Sequence, residues 1–216
     1  MTAANGSVPD KLFRGPPWVD LLTDVAAKPP RYSRVRRFPA MAGPIDQEEF
    51  RDACGRFATG VCVVTSLGAD GPSGMTANAV TSLSLEPPLM LVCFALTSRT
   101  LAAVEHSGRF GVQFLAHDQE ELAARFASKL PEHEKFDGVA WTDRGGIPSL
   151  DGCLAWLGCD LRDLSPGGDH LIGVGKVVEM WRGDGEPLVF YRGDYWSLAG
   201  REPAPEEVDR ALEGPG

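Results

Sequence analysis

No stretch of the 216 residues approaches the run of about eighteen apolar residues that a membrane span needs. The N-terminus also lacks the apolar core of a signal peptide, so the sequence predicts a soluble, cytoplasmic protein with no membrane contact. A basic excess is missing too. The formal charge is −9, which argues against nucleic acid as a partner, because phosphate neutralisation needs a basic surface. Five cysteines (Cys54, Cys62, Cys93, Cys153, Cys159) form no C-x-x-C pair and sit mostly among apolar neighbours. They read as buried free thiols in a reducing compartment. There is no G-x-G-x-x-G after a first strand, no phosphate-binding P-loop, no H-E-x-x-H and no G-x-S-x-G. The histidines His106, His117, His133 and His170 lack metal-ligand spacing, and no metal is expected.

What is present is ordinary globular composition, 43% apolar and 24% charged, enough for one domain with appendages. Residues 1–44 form a Pro/Arg-rich arm. Its first forty residues carry seven Lys or Arg against three Asp, and only WVDLLTDVA suggests a short docking helix. Three readings of the arm stand: a poorly ordered extension, a segment that covers a cofactor or meets a partner, or sequence upstream of a true start at Met41. Residues 45–200 form the domain, and 201–216 an acidic tail with two basic and five acidic residues. The acidity therefore belongs to the domain.

The domain opens with IDQEEFRDACGRFATG. Asp46 and Glu49 have capping-box spacing, Phe50, Ala53, Cys54 and Phe57 recur at helical intervals, and Gly60 closes the predicted helix. VCVVTSL, PLMLVCFAL and RFGVQFLA read as strands. Ser98 caps a helix ending at Gly108, and Asp118 with Glu121 makes a second capping box. CLAWLGCDLRDLS, HLIGVGKVVEMW and PLVFYRGDYWSL are rich in strand formers. The pattern predicts a mainly β (α+β) barrel of antiparallel strands with short flanking helices.

GMTANAVTSLSLEPPLMLVCF, from Gly74 to Phe94, is unusual. Thr76, Asn78, Thr81, Ser82 and Ser84 lead straight into an apolar strand. Such a segment reads either as an edge strand with a wet face or as a wall of hydrogen-bonding groups before a flat, polar-edged ligand. Ser98-Arg99-Thr100 begins a helix, where unpaired N–H groups suit an anion, although Ser98 alone would suffice as a cap. GGDHLIGVG places His170 beside a turn, and YRGDYW gathers Tyr191, Tyr195 and Trp196 around another.

Taken in order, these segments resemble the flavin reductase family with the FMN-binding split β-barrel fold, a Greek-key-like antiparallel barrel. The likeness spans residues 46–198 and runs through FRDACGRFATGVCVVTS, GMTANAVTSLSLEPPLMLVCF, SRTLAAVEHSGRFGVQFLA, ELAARFASK, GGDHLIGVGKV and PLVFYRGDYWSL. It is narrowest with the reductase components of two-component flavin-dependent monooxygenases. The resemblance implies an NAD(P)H:flavin oxidoreductase using FMN or FAD and NADH or NADPH. By resemblance, Asn78, Ala79, Val80, Thr81, Ser82, Ser84 and Leu85 lie along the flavin ring. Ser98, Arg99 and Thr100 reach its ribityl phosphate, and Phe126 and Lys129 lie near a helix end beside it. His170 matches a residue near the nicotinamide, and Tyr191 and Tyr195 match the pocket rim. No residue of the chain is expected to act as a catalytic acid or base. A homodimer and a partner oxygenase fed by diffusible reduced flavin are further implications. A flavin-dependent oxidase on the same barrel, or a non-enzymatic flavin carrier, stand as alternatives.

Overall fold

In the computed structural model, residues 44–198 are described. The expected N-terminal arm, its docking helix, the acidic tail and the question of Met41 fall outside that range. Among the described residues no helix is long and apolar enough to cross a membrane.

Helix α1 (Gln47–Gly55) begins where the sequence predicts, with the Asp46 carboxylate accepting from the N–H groups of Glu48 and Glu49 at 2.8 and 3.1 Å. It stops earlier than predicted. Arg56 and Phe57 already bond three residues back, and Gly60 belongs to strand β1 (Thr59–Gly60), which pairs with Phe190 and Val189. Pairing with a distant strand outcompetes continuation of the helix. Strand β2 (Cys62–Gly68) then forms a hairpin with β3 (Gly71–Ala77), and β4 (Val80–Leu85) a second hairpin with β5 (Pro88–Ala95). The Glu86–Pro87 peptide at that corner is cis. Helix α2 (Arg99–Ser107) runs from the Ser98 cap to Gly108, which takes the left-handed conformation a helix terminator needs.

After β6 (Arg109–Phe114) come α3 (Glu120–Ala127), α4 (Glu132–Phe136) and the ribbon β7 (Trp141–Asp143) and β8 (Pro148–Leu150). The predicted capping box of α3 does not form. Gln119 precedes the helix, and its side chain instead binds the Ala116 N–H and the Asp151 carbonyl, holding the turn into α3. Two long strands follow, β9 (Ala155–Gly167) and β10 (His170–Arg182), and then the hairpin β11 (Leu188–Tyr191) and β12 (Asp194–Ser197).

Seven strands make one antiparallel sheet in the order β3-β2-β6-β9-β10-β5-β4. Its two edges, β3 and β4, are consecutive in the chain, with only Asn78 and Ala79 between them. Three Cα–Cα steps span at most about 11 Å. The sheet must therefore curl until its edges meet, and the result is a barrel with a seam. Bulges at Leu83, Arg162 and Val178, each an extra residue in the pairing register, supply the curvature.

The run VCVV has no polar alternation because both faces of β2 are buried. Cys62 and Val64 join Val92, Phe94, Phe110 and Cys159 on one side. Val61 and Val63 meet Leu115, Phe126, Phe136 and Leu188 on the other. Trp156 is fully buried, whereas Trp196 is exposed. The expectation of buried thiols holds for Cys62, Cys153 and Cys159, only in part for Cys93, which is half-buried on β5, and not for Cys54, which is exposed on α1. Among the described residues, Phe50 on α1 and Ile45 and Phe57 flanking it are all exposed.

Candidate functional site

Two concavities lie along the seam. The larger, about 720 Å³, has the size of a small-molecule site. Phe57, Val61, Phe114, Leu115, Leu157 and Leu188 make its walls apolar, while Asn78, Thr81 and Ser82 edge it with hydrogen-bonding groups. Thr59 lies at its wall, and its Oγ1 is buried with no hydrogen-bond partner among the described residues. A buried hydroxyl left unpaired is costly, which suits a site built to meet a polar atom.

The smaller cavity, about 430 Å³, is bounded by Met75 and Thr76, by Thr97–Thr100, by Phe126–Lys129, and by Glu132 and Lys135. Three cations, Arg99, Lys129 and Lys135, and one carboxylate line it. The Glu132 Oε2 accepts from the Gly74 N–H at 2.8 Å and from the Ser73 hydroxyl at 3.0 Å. Its Oε1 lies 3.0 Å from Arg99 Nε and 3.3 Å from Lys135 Nζ. Lys135 is almost wholly buried, and its ammonium donates to the carbonyls of Gly74 and Phe126. Arg99 also donates to the Leu130 carbonyl.

The residues singled out from the sequence thus divide. Asn78, Val80, Thr81 and Ser82 border the larger cavity; Ser98, Arg99, Thr100, Phe126 and Lys129 border the smaller. One chain segment, Met75–Ser82, borders both. Thr100 is buried and its hydroxyl lies 3.2 Å from that of Ser73, so it is engaged within the fold. The Ser98 hydroxyl caps Leu101 at 3.4 Å and donates to the Met75 sulfur. Ala79, Ser84 and Leu85 border neither cavity. The Ala79 carbonyl accepts from Cys93, and Leu85 faces solvent at the sheet edge.

His170 also lies outside both cavities, at the start of β10. Its Nδ1 is 2.8 Å from the Asp169 carboxylate, and hydrogen bonding with that imidazole holds Asp169 below the usual carboxylate range. His170 pairs in register with Ala95, and the Leu96 N–H donates to the Asp169 carbonyl. This hairpin tip therefore adjoins the strand end that leads into Thr97–Thr100. Tyr191 and Tyr195 stand apart in the C-terminal hairpin. The Tyr191 ring meets Trp196, and Tyr195 packs on Phe190, where burial raises its phenol. That hairpin reaches the larger cavity through Leu188 instead.

Sequence reading missed Thr59, Glu132 and Lys135. The opposite charges of PEHEKF three residues apart were the available signal, and they look the same on any solvated helix.

The Cys62 thiol lines the larger cavity, and burial pushes it up to about 12, as burial also does for Cys153 and Cys159. All three stay protonated at neutral pH. A thiol raised in the folded state costs stability as pH climbs from its unfolded value of about 8.5 toward 12. Iodoacetamide at pH 8 is expected to alkylate the exposed Cys54 in the native protein, and the three buried thiols only after denaturation. Mass spectrometry of the native digest checks this, and rapid native labelling of Cys62 would contradict it.

Comparison with known proteins gives concordant findings. The flavin reductase like domain family matches residues 54–199. An NADH-dependent flavin reductase of a Rhodococcus species is 41% identical over 164 residues, covering 73% of this chain and 92% of its own. The reductase subunit HsaB of a flavin-dependent monooxygenase from Rhodococcus jostii is 42% identical over 159 residues, covering 73% and 80%. Among solved structures, an NADH:FAD oxidoreductase of Streptomyces globisporus superposes with a TM-score of 0.69 at 36% identity, covering 75% and 99%.

Proposed function

From the premise that this chain belongs to the flavin reductase family, we infer that it is an NADH-dependent flavin reductase that supplies reduced flavin to a separate oxygenase. The observation that carries the reading is the seam. A single segment, Met75–Ser82, borders both an apolar cleft edged by short polar side chains and a cation-lined cavity. A flavin has matching parts, namely a flat ring with a polar edge and an anionic tail.

The residues present fit such a group. Asn78, Thr81 and Ser82 offer hydrogen bonds to a ring edge, and Val61, Leu115 and Leu157 offer a dry surface to its face. The α2 N-terminus with Arg99 and Lys129 supplies local positive potential on a domain that is acidic overall. When bound, the flavin accepts a hydride from reduced nicotinamide, so the chain supplies orientation and water exclusion rather than an acid or base. His170, at the hairpin tip beside the entry to α2, orients the dinucleotide in this reading. His170→Ala should raise the KM for NADH about tenfold, the order set by losing one or two hydrogen bonds, while flavin affinity stays unchanged. Steady-state kinetics with a flavin titration checks this, and an unchanged KM would remove His170 from the site.

Two copies of the chain pair in this reading. The exposed apolar residues Phe50 and Phe57 near α1, with Leu83 and Leu85 on the edge strand β4, support a self-associating face. Analytical ultracentrifugation at micromolar concentration should return twice the chain mass. Five free cysteines support residence in the reducing cytoplasm.

An anaerobic turnover assay with NADH and excess FMN or FAD tests the central claim. Bleaching of many flavin equivalents per chain is expected. Bleaching limited to one equivalent would indicate a retained flavin. No bleaching with flavin bound would overturn the reading in favour of an oxidase or a flavin carrier.

A further inference from the structure

Glu132 is unusual in its surroundings. It is the one carboxylate among the residues lining the smaller cavity, set among Arg99, Lys129 and Lys135, with its side chain only 19% exposed. Its two oxygens have different partners. Oε2 is held by well-directed bonds from the Gly74 N–H and the Ser73 hydroxyl on β3. Oε1 makes no well-directed hydrogen bond, yet it lies 3.0 Å from Arg99 Nε and 3.3 Å from Lys135 Nζ. Its interaction with these cations is chiefly charge on charge. The fold thus spends backbone and hydroxyl donors to fix a negative charge at the wall of a cavity whose other charges are positive.

We propose that Glu132 is a built-in counter-ion that lowers the affinity of this cavity for the flavin phosphate, so that phosphorylated flavin is released rather than retained. The inference rests on the flavin-reductase reading. Without Glu132 the cavity would present three cations to a phosphate. With it, the positive excess falls by one charge, and Arg99 is already partnered before the ligand arrives. A phosphate must then compete with a carboxylate that cannot leave, because Oε2 is tethered to β3. Glu132 touches no reacting atom and acts through Arg99 and Lys135. Its consequence is confined to the anionic tail, and the ring site along Asn78–Ser82 does not feel it.

Comparing FMN with riboflavin, which has the ring but no phosphate, isolates this effect. Dissociation constants for both, by flavin fluorescence quenching at low and moderate salt, would be measured for the full chain, for Glu132→Gln and for Thr97→Lys. Glu132→Gln is expected to tighten FMN about tenfold relative to riboflavin, the order one unit charge supplies across a few ångström of protein surface. The FMN constant should also become more salt-dependent, which a loss of packing would not produce. Thr97 lies on the same cavity and is exposed, so Thr97→Lys adds a cation without touching the buried network. It should tighten FMN in the same direction, and it keeps the test open should Glu132→Gln not fold.

An FMN-to-riboflavin ratio that is unchanged or reversed in a folded Glu132→Gln would overturn the proposal. So would an unchanged ratio in Thr97→Lys where Glu132→Gln does not fold. If the unaltered chain neither binds nor reduces FMN or riboflavin, the flavin-reductase reading itself falls, and this inference with it. Riboflavin turnover with an unmoved ratio removes the counter-ion alone.

Discussion

Ser82→Trp is expected to lower flavin affinity at least about a hundredfold while leaving the protein folded, because an indole would occupy ring space without entering the core. Ser82 lies on β4, the edge strand, opposite Met90 of β5, and it is exposed where it borders the larger cavity. An edge position pairs on one side only, and tryptophan is well tolerated in strands. The melting temperature should therefore move by no more than a few degrees. Ser82→Ala removes only a hydroxyl and should cost a few-fold, the worth of about one hydrogen bond. The contrast matters: steric filling and hydrogen-bond loss at one position predict effects differing by more than an order of magnitude. FMN and riboflavin titrations beside thermal melts check both variants. A folded Ser82→Trp that binds flavin normally would show that the ring does not lie against β4.

Gly175→Ala is expected to destabilise the fold by about 3 kcal/mol, lowering the melting temperature by about 10 °C for a domain of this size. A Cβ at Gly175 would stand 2.3 Å from Phe110 Cζ and 2.8 Å from Cys159 Cβ. The ring cannot retreat, since Phe110 is fully buried and meets Phe94 edge-on at 6.0 Å between centroids. Phe94 in turn blocks a Cβ at Gly173 at 2.6 Å. The two glycines of GVG are the floor on which two aromatic rings of the barrel interior rest. Phe110→Leu combined with Gly175→Ala should recover part of the loss, because the smaller side chain vacates the contact. Urea denaturation of the single and double variants measures this coupling. A Gly175→Ala protein as stable as the parent would mean that the ring shifts freely.

The strands were legible because their signal is local. VCVVTSL, PLMLVCFAL and RFGVQFLA match β2, β5 and β6 closely, and the two long segments after Cys153 match β9 and β10. The edge-strand reading of the hydroxyl-rich stretch matches β4, whose residues Val80, Thr81 and Ser82 also border the larger cavity. The helix ends were read less well. Asp46 and Ser98 cap as expected, yet Gly60 was drawn into β1 and Asp118 lost its role to the Gln119 turn. In the first miss a partner distant in sequence, Val189, pairs with Gly60; in the second, Gln119 precedes the helix in place of the predicted Asp118 and is held by the Asp151 carbonyl 32 positions on.

Composition, periodicity and the order of the segments thus determined by themselves an acidic, mainly β domain, and through resemblance its family. These properties add up residue by residue, so a linear reading captures them. Only the tertiary structure decided that β3 and β4 meet across Asn78 and Ala79, that the candidate site has two compartments, and that Arg99 is partnered by Glu132. Sequence showed Arg99 at a helix start and Glu132 as one acid in the charged run PEHEKF. Charge pairing and enclosure depend on distance through space, and the 32 positions between those two residues carry no trace of the 3.0 Å that separates them.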